Sequence, residues 1–179
     1  MKGIIFTEFL ELVENKFGLE VVDQIIQESN LPSGGIYTTV GTYDFAEMLS
    51  LLKKLSAHTT ISIDDLLLTY SEHFFGVLVE SYPGLISKYK DPIELLSSIE
   101  DHIHVEVQKI YPDAELPTFE ILEKTSSSLV LVYKSSRAMY NFGLGLMNKT
   151  FDHYNATATI LLEKIKEDGT EVKFSITKN

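Results

Sequence analysis

Cysteine and tryptophan are both absent from this 179-residue chain. With no thiol there is no disulfide, no thiolate zinc site, no cysteine-ligated iron–sulfur cluster and no cysteine nucleophile. No apolar run approaches the roughly 18 residues that a membrane span needs, so no membrane insertion is expected. Cationic residues are the minority, 15 Lys and Arg against 26 Asp and Glu, for a net charge of −11. Such a surface repels a phosphate backbone, which argues against nucleic acid as a partner. The opening stretch MKGIIFTEFLELVENKFG places acids inside its apolar pattern. That is an amphipathic helix rather than a signal peptide, and a cytoplasmic location is expected.

What is present has the balance of a folded domain. Hydrophobic residues make up 44% and charged residues 23%, which excludes intrinsic disorder and leaves enough apolar matter for one sizeable core. Phe6, Phe9, Leu10, Val13 and Phe17 recur at helical spacing, and Gly18 ends the run. Val21, Val22, Ile25 and Ile26 start a second helix. A Gly-, Pro- and Ser-rich break follows at LPSGGIYTTVGTYD. Asp44 caps a third helix. Ser62 caps a fourth, with Asp65 at the capping-box position. One further helix is predicted from Ile93 to Tyr111.

After Pro117 the period changes. FEILEK and SLVLVYKSS alternate around TSSS as a hairpin, a helix follows from AMYNF, and two last strands flank an Asp-Gly turn. The prediction is an α+β fold, a helical N-terminal two-thirds followed by an antiparallel sheet crossed by a helix. Within a single domain over 1–179, a helical lobe is expected to give way near residue 65 to a helix-and-sheet lobe.

Five histidines are the strongest remaining metal ligands. His58 reads as a solvated residue near a helix end, His73 as a packed core residue and His153 as structural. His102 and His104 flank Ile103 on an apolar stripe of Leu96, Ile99, Ile103, Val107 and Ile110. Two positions on an α-helix differ by about 200°, so these two cannot grip one ion together. Each can act only singly, as an axial ligand of haem iron does. Periodicity leaves open which of them faces a cofactor.

LVYKSSRAMYNF places Tyr133, Ser135 and Arg137 at alternate positions. If extended, these hydroxyls and the guanidinium form a row of donors suited to an anion with several oxygens. Y-x-S-x-R, a histidine six residues before Ile110-Tyr111-Pro112, and the N-terminal MKGIIF together resemble the H-NOX family, the haem-nitric oxide/oxygen binding domains related to the haem domain of soluble guanylate cyclase. The resemblance covers essentially the whole chain. It implies a bacterial gas sensor with haem b buried between the helical and sheet parts. It selects His104 as proximal iron ligand, and it assigns Tyr133, Ser135 and Arg137 to the haem propionates. No C-x-x-C-H sequence exists, so the haem is expected to be held without covalent attachment.

Oxygen-binding relatives carry a distal tyrosine five residues after the motif arginine, and here that position is Phe142. The partner positions are Phe9 and Phe74. The distal pocket is therefore expected to be apolar, walled by Ile5, Phe74, Phe142 and Leu146, with Pro117 packing on the macrocycle. Tyr140 is the competing donor; it faces elsewhere if the helix starts before residue 140 and shares a side with Phe142 if the segment is still extended there. The function implied is sensing of nitric oxide in preference to oxygen, with CO as a further ligand. Release of His104 signals in trans to a histidine kinase or a cyclic-di-GMP cyclase or phosphodiesterase, and the chain is not an enzyme. The alternatives are an oxygen- or redox-linked haem protein without a signalling role, and a haem-free binding domain.

Overall fold

The helix signals in the sequence are realised nearly where the capping chemistry puts them. A computed structural model describes residues 1–179 and resolves into two compact units, Met1–Tyr70 and Ser71–Asn179.

In the N-terminal unit, α1 spans Gly3–Phe17 and α2 spans Leu19–Glu28. Gly18 joins them at φ 90°, a left-handed conformation that costs glycine little. α3, Phe45–Thr59, starts where the Asp44 side chain accepts the Ala46 amide at 2.9 Å. α4, Ile63–Ser81, begins in this unit, and Ser62 caps it as predicted. The Asp65 amide donates to Ser62 Oγ at 3.1 Å, and that hydroxyl donates to the Asp65 carboxylate at 2.6 Å. Phe6, Phe9, Val13, Ile25, Met48, Leu51, Leu52 and Leu55 are fully buried together with Tyr70. The Tyr70 hydroxyl donates to the Ile5 carbonyl at 2.6 Å, so burying this ring leaves no orphaned donor. The break between α2 and α3 folds back on α1. The amides of Gly3 and Ile4 donate to the carbonyls of Gly41 and Thr39, and Lys2 Nζ donates to Val40 O and Thr42 Oγ1. A Cβ at Gly3 would run into the Thr38 carbonyl, so only glycine permits this approach.

In the C-terminal unit, α5 (Pro83–Ile86) and α6 (Pro92–Leu96) are short, each with proline in its first turn. The single helix predicted from Ile93 to Tyr111 is not continuous. A π turn covers Ile99–Ile103, and α7 begins at His104 and ends at Ile110. The amides of Ile103 and His104 reach back five residues, to Ser98 and Ile99. One extra residue in a turn rotates everything after it by roughly 100° relative to an unbroken α-helix. The predicted apolar stripe therefore fails at its end, and Ile110 is 47% exposed.

The sheet is antiparallel with order β1-β2-β4-β3, from Thr118–Lys124, Ser128–Lys134, Ala158–Lys164 and Glu171–Lys178. A bulge lies between Ile121 and Glu123. The last connection, residues 165–170, is longer than a two-residue hairpin turn but contains the predicted Asp168-Gly169, with Gly169 at φ 77°. α8, Tyr140–His153, lies between β2 and β3 in sequence. Its Met147 and Phe151 share a core with Leu129, Leu131, Val172, Phe174 and Ile176 of the sheet and Ile93 and Leu96 of α6.

Gly3→Ala is expected to destabilise the protein by about 1–3 kcal/mol, the range for overpacking a filled site. The check is a lower urea midpoint with an unchanged slope.

Candidate functional site

The π turn decides how its two histidines are presented. His102 Nδ1 is 2.9 Å from the Tyr89 hydroxyl, with the two rings 5.8 Å apart. His104 faces β1 instead, its ring 5.9 Å from that of Phe119. The pair is split between two environments, and no group of three or more His, Asp or Glu could hold a bare ion.

His104 is largely buried, with 15% of its side chain exposed, and its Nδ1 lies 3.0 Å from Glu100 Oε1, one helical turn earlier. Burial pushes its pKa below the ordinary histidine value, and Glu100 pulls the other way. The result is a neutral imidazole whose Nδ1–H is engaged, which leaves the lone pair on Nε2. A neutral imidazole with its second nitrogen hydrogen-bonded is how a metal-ligating histidine is held. The same Glu100 oxygen accepts the Phe119 amide at 2.8 Å.

Of the three motif residues, only Tyr133 lies on a strand. β2 stops at Lys134, and Ser135 to Ala138 form a turn in which the Ala138 amide donates to Ser135 O at 3.2 Å. The expected extended row of donors is therefore corrected: a turn gathers these groups. Ala138 takes φ 50°, a left-handed conformation uncommon for alanine. The Arg137 amide donates to Ser135 Oγ at 3.2 Å. Tyr133 is 2% exposed, and burial raises its pKa. Hydrogen bonds to the Ser135 side chain and the Met139 amide, and the Arg137 charge, oppose that shift.

The Arg137 guanidinium already grips a carboxylate. One arm donates to the Glu115 carbonyl at 2.8 Å and another pairs with the Glu115 carboxylate. Glu115 is 80% exposed at its side chain while that of Arg137 is only 14% exposed. A half-sunken guanidinium reached from solvent by a carboxylate is the donor chemistry a propionate would meet. On both counts, the imidazole and the donor turn, the residues fit haem.

Phe74 and Phe142 meet with ring centroids 5.7 Å apart. Leu146 lies one turn further along α8 and is partly buried, and Pro117 immediately precedes β1. Ile5 is on α1 of the N-terminal unit. Phe9, in that same unit, is 1% exposed, packs edge-on to Tyr70 at 5.5 Å and lines an apolar cavity of about 340 Å³ with Leu12, Val13 and Leu55. Tyr140 opens α8. Its ring lies against Gly169 and beneath Lys164 Nζ at 5.2 Å. Two of the remaining histidines have contacts of a structural kind. His58 Nε2 is 3.2 Å from Glu28, a partner the sequence reading did not foresee. His153 packs edge-on to Phe75 and Tyr154, and His73 is half-buried.

Two site residues escaped the sequence reading. Glu100 carried a usable signal, its position four residues before His104. Glu115 carried none, because its pairing with Arg137 spans two elements.

A helical part followed by a four-stranded antiparallel sheet is the architecture of the haem-binding gas-sensor domains whose structures match this chain. Residues 2–162 match the family model described as Haem-NO-binding, and the chain belongs to this family, the H-NOX proteins. It is similar to the Fe(II) unliganded H-NOX protein from K. algicida, at 72% identity and TM-score 0.98, over 100% of this chain and 97% of that one. It is also similar to the H-NOX from Shewanella woodyi in the Fe(II)CO state with IWP-051 bound, at 36% identity and TM-score 0.85, over 100% and 95%. The S. oneidensis H-NOX in the Fe(II)NO state shares the fold at 23% identity and TM-score 0.91, over 100% and 99%. No curated protein matches the chain.

His104→Gly should lose the native ferrous spectrum and regain a similar one with free imidazole, while His102→Ala keeps it. The reverse pattern in absorption spectra would reject His104 as the ligand. Arg137→Ala should weaken haem retention by about 2–5 kcal/mol, the range for removing one partner of a desolvated charge pair. Transfer of haem to apomyoglobin measures this, and an unchanged rate in a Tyr133, Ser135 and Arg137 triple alanine variant would exclude the propionate role.

Proposed function

We propose that the chain is a haem-based sensor that selects nitric oxide over oxygen, also takes CO, and signals in trans. The observation that carries this reading is the pairing of a neutral, oriented His104 with an apolar Phe74–Phe142 contact. Haem b, when bound, would supply ferrous iron able to take up a diatomic gas.

Each residue has a role in this reading. His104 offers Nε2 to the iron, and Glu100 holds its other nitrogen. Tyr133, Ser135 and Arg137 donate to the propionates, with Arg137 exchanging the Glu115 carboxylate for a propionate. Phe74, Phe142 and Leu146 wall the distal side, and Pro117 packs on the macrocycle. Dioxygen benefits from a donor to the partial negative charge it acquires, and the two phenylalanine rings have none. Nitric oxide holds ferrous iron without that help. His104 would let go of the iron once nitric oxide is bound, and α7, which begins at His104, would then be free to move. Two states with different ligand contacts are what a signal requires.

A histidine kinase or a cyclic-di-GMP cyclase or phosphodiesterase reads that change, in the cytoplasm, and this chain does no catalysis. The gas-bound states of the two Shewanella proteins and the unliganded ferrous state of the K. algicida protein support the reading. No helix is long and apolar enough to cross a membrane.

Ferrous protein should bind NO and CO yet form no stable complex in air, as absorption spectroscopy reads directly. One hydrogen bond to a partly charged acceptor contributes about 1.5–3 kcal/mol, roughly ten- to a hundredfold in affinity. Phe142→Tyr should move the protein toward oxygen binding by up to that factor. A stable oxygen complex of the unmodified protein would refute the selectivity and favour an oxygen-linked haem protein.

A further inference from the structure

Glu100 makes two contacts through one oxygen. Oε1 accepts the His104 Nδ1–H at 3.0 Å and the Phe119 amide at 2.8 Å. Phe119 lies on β1, an edge strand paired only with β2. Its partner across the ladder is Tyr133, and their rings are 5.6 Å apart. One carboxylate thus ties the imidazole at the start of α7 to the strand pair that leads into the donor turn.

The local backbone makes this possible. The π turn delivers Glu100 and His104 to the same side, toward β1, while His102 is taken by Tyr89. A free edge strand offers outward amides with no ladder partner, and Glu100 satisfies one of them. The amide in turn fixes the carboxylate rotamer, so the imidazole meets an oriented acceptor rather than a mobile one. Asp101, the adjacent acid, is exposed.

We infer that Glu100 is a positioning residue that holds His104 in the Nδ1–H tautomer, strengthens its bond to iron, and couples that bond to strand β1. The inference rests on His104 being the iron ligand. A hydrogen bond from Nδ1 to a carboxylate makes the imidazole a better donor at Nε2. Glu100 therefore sets how readily His104 is released, and a displaced His104 pulls on β1 through Glu100.

Resonance Raman of the five-coordinate ferrous protein reads the iron–histidine stretch. Glu100→Gln keeps a weaker neutral acceptor and should lower its frequency, Glu100→Ala should lower it further, and Asp101→Asn should leave it in place. Haem transfer from Glu100→Ala to apomyoglobin should accelerate on the order of tenfold, as for loss of an outer hydrogen-bond partner. A second measurement needs no variant. In CO-saturated ferrous wild type, nitrogen-15 NMR should show a His104 Nδ1 proton that is shifted downfield and exchanges slowly with solvent. A fast-exchanging proton there, or an unmoved Raman band in Glu100→Ala, overturns the inference. Failure of the wild type to take up haem, or of imidazole to rescue His104→Gly, would instead overturn the function on which it rests.

Discussion

The hydrogen bond between His104 and Glu100 is the constraint on which the rest of the site depends. An imidazole buried without a partner would leave its tautomer unset and an N–H unsatisfied, at a cost of about 1–3 kcal/mol. The carboxylate removes both problems and directs Nε2 outward. Because Glu100 also accepts the Phe119 amide, the imidazole is referenced to a strand and not merely to its own helix. The π turn before His104 is the geometric means, since it sends His102 and His104 to separate partners.

The donor turn solves a different problem. A strand can present alternate residues to one side, but it holds them at fixed spacing along a line. Ending β2 at Lys134 lets Ser135 and Arg137 enter a turn after Tyr133. Ala138 accepts a left-handed backbone to make that turn. The outcome is a turn that sets these donors beside a half-buried guanidinium, and Glu115 shows that the guanidinium takes a carboxylate.

Selectivity on the proposed reading comes from what a pair of side chains withholds. Phe74 and Phe142 bring two rings together, and neither can donate a hydrogen bond. Tyr140 has the missing hydroxyl but starts α8 and spends its ring on Gly169 and Lys164. Two residues along a helix reverse the direction of a side chain, so adjacency in sequence does not place it near Phe142.

Much of the fold was legible because its signals are local. Asp44 and Ser62 mark helix starts through hydrogen bonds spanning two or three residues. Alternation marks β1 and β2, and the resemblance that singled out His104, Tyr133, Ser135 and Arg137 needed only spacing. The sequence by itself therefore determined the order of elements and the residue types offered to a cofactor. Tertiary structure decided what spacing cannot encode. The π turn, the end of β2 at Lys134, the Glu100 bridge to Phe119 and the Glu115 grip on Arg137 all join groups held by different elements. Such contacts arise only when a packed core brings those elements within about 3 Å, and no periodicity in the chain records that distance.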